Sequence, residues 1–146
     1  MIKISPSILS ADILKIEEEV KLLDKNGADY IHIDIMDGHY VPNITFGPNI
    51  VRSIRKITTK ILDVHLMIQP VNPYIDEFIK AGSDIISFHP EADVNPDKII
   101  STILDANIKA GIAVHPKVKI SDIEYLLNKV QQVIVMTVTP GFGGQK

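Results

Sequence analysis

The chain has 146 residues, 45% of them hydrophobic and 23% charged, with a formal net charge of −3 and no cysteine. This suits one domain, residues 1–146, with a sizeable core. It excludes disulfides and thiolate metal sites and supplies no basic surface for nucleic acid or an anionic membrane. The opening MIKISPSILS has neither the apolar stretch nor the cleavage site of a signal peptide, and no apolar run is long enough to span a bilayer. A cytoplasmic protein is the expectation.

Short apolar runs alternate with helical patterns. Strands are expected at Lys3–Leu9, Tyr30–Met36, Lys60–Ile68, Asp84–His89, Lys109–His115 and Gln132–Val138. Helices are expected near 12–26, 48–56, 73–81, 96–107 and 121–129. Ser10 is a candidate cap for the first helix, and Gly27 ends it. Asn72-Pro73 and Asn95-Pro96 each place a capping residue before a proline at the first helical position. This βα alternation calls for a parallel sheet with right-handed crossovers. NGADYIHID at 26–34 echoes AGSDIISFH at 81–89, two βα units later, and no GxGxxG follows the first strand. Both observations favour an eightfold βα barrel over a dinucleotide fold. Such barrels take about 250 residues. The expected architecture is therefore an incomplete (β/α)8 TIM barrel, about (βα)5β6, without its last two βα units.

Strand periodicity then places the polar residues. Ile31, Ile33 and Ile35 share one face of the second strand; His32, Asp34 and Met36 share the other. In the third strand Asp63, His65 and Met67 oppose Leu62, Val64 and Leu66. The aliphatic faces belong under the helices, and the mixed faces point into the barrel, toward the strand C-terminal ends where barrel enzymes hold their active sites. His32, Asp34 and His65 thus converge, and two imidazoles with a carboxylate suit Zn²⁺ or Fe²⁺. A single such histidine reads more simply as a satisfied core residue; three in matched phase favour a metal. Ser7 is either a substrate contact or a small packing residue. Met36, Met67 and Met136 are core filler or an apolar collar around the site. His89 and His115 end the fourth and fifth strands and are expected as loop residues or supports behind the ligands. PGFGG after the sixth strand lets backbone amides approach an anion, which points to a phosphorylated substrate.

SPSILSAD, HIDIMDGHYVPN, FGPNI, DVHLMI, AGSDIISFHPEA and VMTVTPGFGGQ closely resemble the ribulose-phosphate 3-epimerases. The resemblance implies a (β/α)8 barrel that interconverts D-ribulose 5-phosphate and D-xylulose 5-phosphate through a metal-stabilised enediolate. It implies His32, Asp34 and His65 as metal ligands and Asp34 as one of two catalytic acid/bases. It implies substrate contacts from Ser7 and His65, a pocket lined by Met36, Met67 and Met136, and phosphate contacts from Gly141, Phe142, Gly143 and Gly144. The chemistry agrees: inverting a carbon beside a carbonyl needs acid/bases on both faces and a positive centre for the charge between the steps.

The family's second acid/base, an aspartate ending strand seven, and the rest of its phosphate site after strand eight have no counterpart here. Thr139 and His115 depart from the usual Asn and Asn-Pro. Low or absent activity, a weak metal site and a homodimer or larger homo-oligomer are expected. The alternatives are a catalytically inactive partial barrel and a related ketohexose-phosphate 3-epimerase. Barrels with a DxKxxD-type strand do not fit HIDIMD.

Overall fold

In the computed structural model, which describes residues 1–145, five parallel strands form one sheet in chain order. They are β1 Tyr30–Met36, β2 Ile61–Met67, β3 Ile85–Phe88, β4 Lys109–Val114 and β5 Gln132–Val135. Helix α1, Ile16–Lys25, precedes β1. The crossovers hold α2 Pro48–Arg55, α3 Ile75–Lys80, α4 Pro96–Asp105 and the short α5 Ile120–Ile123. This is an incomplete α/β barrel. No helix is long and apolar enough to cross a membrane among the described residues.

The local chemistry explains most boundaries. Asn95 caps α4, its side chain accepting from the Lys98 amide, with Pro96 at the first helical position. The first helix begins differently from expectation. Asp12, not Ser10, supplies the cap, and a 3-10 turn at Ile13–Lys15 precedes α1. The expected helix at 121–129 is broken into α5 and a 3-10 turn at Glu124–Leu126.

The first expected strand, Lys3–Leu9, is also corrected. It runs extended beside β1, taking bonds from Asp29 and Tyr30 to the Ile4 carbonyl and from His32 to the Pro6 carbonyl, and giving one from Ile8 to His32. Only one isolated bridge forms, Ser7 with His32. Pro6 has no N–H to donate, and residues 1–5 are exposed on this edge, so the ladder stays incomplete.

The core lies between sheet and helices. Ile31, Ile33, Ile35, Leu62, Val64, Leu66, Ile86 and Phe88 pack with Val51, Ile54, Phe78, Ile99 and Ile103 of the helices. Met36, Met67 and Val41 form a separate buried cluster. The aliphatic and mixed strand faces therefore point as the alternation requires. The sheet is curled. In a flat sheet β2 and β5 would stand roughly 14 Å apart, three strand spacings. Yet Gln132 Nε2 of β5 donates to Asp63 Oδ1 of β2 at 2.9 Å. It passes over Ser87 of β3 and Gly111 of β4, two small residues in register with it.

Candidate active site

Parallel register builds the site directly. His32 of β1 stands opposite Asp63 of β2, and Asp34 opposite His65. The concave face thus carries a two-by-two block of imidazoles and carboxylates. His32 Nδ1 lies 2.8 Å from Asp63 Oδ2, and His32 Nε2 lies 3.3 Å from Asp34 Oδ1. His65 Nδ1 lies 3.0 Å from the same Asp34 oxygen. The other Asp34 oxygen accepts from Ser7 Oγ at 2.5 Å. Asp63 is fixed in turn by Gln132 and, at 3.3 Å, by Ser5 Oγ.

The electrostatics separate the two histidines. Burial opposes charge on His32, but hydrogen bonds and attraction from Asp34 and Asp63 outweigh it and raise its pKa to about 10. Burial also opposes charge on Asp34, yet bonds from His32 and His65 hold its carboxyl far below the usual range. Asp63 is lowered too, its burial outweighed chiefly by His32. His65 goes the other way: burial pushes its pKa down and Asp34 does not compensate. One imidazolium between two carboxylates leaves the cluster net negative.

His32, Asp34 and His65 each offer a ligand atom, and these atoms lie within 4.8 Å of one another. Asp63 supports the same reading from behind: a carboxylate on Nδ1 leaves Nε2 of His32 to face inward, the usual arrangement of a metal-bound histidine. Donor chemistry, spacing and net charge all fit a divalent cation bound through nitrogen and oxygen.

A cavity of about 280 Å³ opens beside the cluster. Ser7, Asp34, Met36, Met67, Met136 and the loop Gly141–Phe142–Gly143–Gly144 all line it. The glycine loop is held through its carbonyls: Asn43 Nδ2 donates to Gly141, and Gln145 Nε2 donates to Phe142 and Thr139. Close approach explains Gly143, where a Cβ would come within 2.6 Å of Ser10 Oγ. Gly141 has φ 130°, outside the range comfortable for other residues.

Some residues lie elsewhere. Asp37, the second carboxylate of HIDIMD, turns away to accept from the amides of His39 and Gln69, organising the loop after β1. His115 does not reach the cluster; its nearest imidazole is His89, 6.4 Å between ring centroids. His89 is fully buried and touches His65, Nε2 to Nε2 at 3.0 Å. Sequence reasoning assigned no role to Asp63 or Gln132. Strand phase put Asp63 on the inner face beside His65, but its pairing with His32 needs the register. Gln132 needs the curl.

Comparison with known proteins fits this arrangement. Residues 3–146 match the ribulose-phosphate 3 epimerase family. The chain is 50% identical to the ribulose-phosphate 3-epimerase of Bacillus subtilis (strain 168), over 100% of this chain and 67% of that protein. It is 47% identical to the enzyme of Rhodobacter capsulatus, over 99% and 64%. It therefore spans about two thirds of the length of these curated relatives. Among solved structures, the tryptophan synthase alpha chain of Legionella pneumophila subsp. pneumophila superposes with TM-score 0.63 over 88% of this chain and 58% of that one. At 16% identity this speaks for the fold alone. With almost the whole chain inside the family match and half its positions identical to those of a curated epimerase, the chain belongs to the ribulose-phosphate 3-epimerase family.

Proposed function

We propose that the concave face is the proton-transfer half of a ketose-phosphate 3-epimerase site, acting on D-ribulose 5-phosphate and D-xylulose 5-phosphate. One observation carries this: Asp34, ionised and held by Ser7, borders the same cavity as the glycine loop. A sugar phosphate whose phosphate rests on the amides of Gly141–Gly144 would place its carbon chain across Asp34. Asp34 removes a proton from the carbon beside the carbonyl on the face it reaches and returns one there. Ser7 steers the carboxylate and contacts a substrate hydroxyl, whereas His65, expected as a substrate contact, is buried and does not line the cavity, so its proposed role is toward the ion. Met36, Met67 and Met136 wall the site against water.

His32, Asp34 and His65 would hold Zn²⁺ or Fe²⁺. When bound, such an ion supplies the positive charge that stabilises negative charge developing on the substrate oxygens. Three ligands with an open position can suffice for zinc, but binding is expected to be weak because the family's fourth ligand, the aspartate ending strand seven, has no counterpart in these residues. Titration of Zn²⁺ by calorimetry into wild type and His65→Ala tests it. Binding lost in the variant supports the assignment; equal binding by both removes it.

Among the described residues, Asp34 is the one carboxylate lining the cavity. Inversion needs a partner on the other face, and a positioned acid/base contributes about 10²–10⁴-fold. We therefore propose that these 146 residues, assayed alone, epimerise at least about a hundredfold more slowly than a full-length relative. Activity equal to such a relative would refute this. Substrate competition between pentose and hexose phosphates decides between the ribulose-phosphate and ketohexose-phosphate readings.

We also propose self-association. The edge carrying Ile2 and Ile4 and the outer face of β5, with Val133 and Val135, expose apolar side chains. Open sheet edges with apolar flanks favour pairing with a second copy. Light scattering at micromolar concentration is expected to show a dimer or larger, and a monomer would contradict it. Cytoplasmic residence is proposed as well; cell fractionation tests it.

A further inference from the structure

His65 is gripped from two sides, and only one of them belongs to the site described above. Across the ring from Asp34, its Nε2 meets Nε2 of His89, the residue after β3. The far nitrogen of His89, Nδ1, is buried and has no hydrogen-bond partner. It lies 3.6 Å from Glu91 Oε1. That oxygen already accepts from the Tyr40 hydroxyl at 2.7 Å, and the Tyr40 ring stacks on His89 with centroids 4.5 Å apart. A carboxylate and a tyrosine thus enclose a buried imidazole whose far nitrogen, Nδ1, lacks a partner, which is costly unless another state uses it.

The proton count shows what that state is. A neutral imidazole carries one N–H and one lone pair. Without a cation, Asp34 requires a donor, so His65 carries its proton on Nδ1. Its Nε2 is then an acceptor, and His89 must donate from its own Nε2. That leaves a lone pair on His89 Nδ1 facing the Glu91 carboxylate, acceptor against acceptor, which accounts for the missing bond. A cation bound at His65 Nδ1 reverses both rings. His65 must then carry its proton on Nε2 and donate it to His89, whose proton moves to Nδ1 and faces Glu91. Each ring keeps one proton throughout; only its position changes. In this second state every nitrogen has a complementary neighbour.

We propose that His89 and Glu91, clamped by Tyr40, are positioning residues that select the His65 tautomer able to bind a divalent cation. This rests on the reading of His65 as a ligand through Nδ1. Glu91 acts two rings away from the ion, through His89 and His65. Supporting groups of this kind commonly change metal affinity by about 10–100-fold.

The test uses the whole chain with Zn²⁺ alone as probe. Affinity is read by competition with a chromophoric chelator, and tautomers by long-range ¹H–¹⁵N spectra of ¹⁵N-histidine protein. In wild type, His89 is expected to change from the Nε2–H to the Nδ1–H form as Zn²⁺ saturates the site. Glu91→Gln removes the negative charge that draws the His89 proton to Nδ1, whichever way its amide is turned. It should hold His89 in the Nε2–H form and weaken Zn²⁺ by about 10–100-fold. His89→Phe should show a similar loss; if it fails to fold, the half-exposed Glu91 substitution still decides. Zn²⁺ affinity in Glu91→Gln within about twofold of wild type, well below that range, overturns the proposal, as does a His89 tautomer indifferent to Zn²⁺. If wild type itself binds no Zn²⁺, or His65→Ala binds as well as wild type, the metal assignment fails first and this inference with it.

Discussion

Gly111 is the position where a single methyl group should disturb the floor beneath the site. It lies in β4, opposite Ser87 of β3 and Gln132 of β5. A Cβ there would sit 2.1 Å from Ser87 Oγ and 3.2 Å from Gln132 Cβ. Ser87 is fully buried and stands in register with His65 on its other side, so it cannot swing out into solvent. Two effects compete in Gly111→Ala. Replacing glycine within a strand gains about 0.5–1 kcal/mol of backbone entropy. Overpacking a closed core costs about 1–3 kcal/mol. The overlap is more than an ångström, so the second should win, with a net loss of about 1–2 kcal/mol. That is roughly 2–8 °C in Tm for a domain of this size. Urea and thermal unfolding followed by circular dichroism measure it. Ser87→Gly removes the atom that is struck, so the double variant should recover stability, with a coupling of at least about 0.5 kcal/mol. Wild-type stability in Gly111→Ala, or strict additivity in the double variant, would refute the packing argument and the route Gln132 takes to Asp63.

Gly82 has φ 96°, and a Cβ there would lie 2.7 Å from Arg55 Cγ. Gly82→Ala should lose about 1–3 kcal/mol in urea unfolding, since Arg55 is also tied to Asp84 and to the carbonyls of Thr58 and Lys60. Asp93 shows a different dependence. Burial opposes its charge, but bonds from the backbone amides of Asn72, Asn95 and Val71 outweigh it and hold its pKa below the ordinary 3.8. A lowered folded pKa stabilises above the unfolded value and is lost as pH falls through the folded one. Asp93→Asn should therefore be less stable than wild type near neutrality, and the difference should shrink as pH falls from 3.8 through the lowered folded pKa; a difference unchanged on acidification would contradict this.

Much of this was readable in one dimension because strand alternation is a strict rule. Once HIDIM and DVHLM are strands, His32, Asp34 and His65 share a face, and parallel pairing sets Asp34 level with His65 and His32 one step deeper. Placement after the strands also singled out the glycine loop and the methionines, to which the family resemblance gave roles and which the fold gathers around one cavity. Three things were not legible. Lys3–Leu9 carries a strand pattern, but Pro6 and an exposed edge leave it a single bridge. Asp63 looked like another inner-face residue until the register set it against His32. Gln132 acts across two intervening strands, and only the curl of the sheet brings it to Asp63, while His89 meets His65 from the end of the adjacent strand, a pairing set by register. Pattern and propensity encode faces; they do not encode which residues meet across a barrel.

Proton exchange without inversion tests the central claim most directly. With one acid/base at the cavity, Asp34 should remove and return a proton on the same face. D-ribulose 5-phosphate is incubated with the chain and Zn²⁺ in D₂O, and the C3 proton is followed by NMR. Deuterium should enter C3 faster than D-xylulose 5-phosphate appears, and Asp34→Asn should reduce exchange by at least about a hundredfold. Exchange no faster than in buffer, or undiminished in Asp34→Asn, would show that the proton-transfer site lies elsewhere.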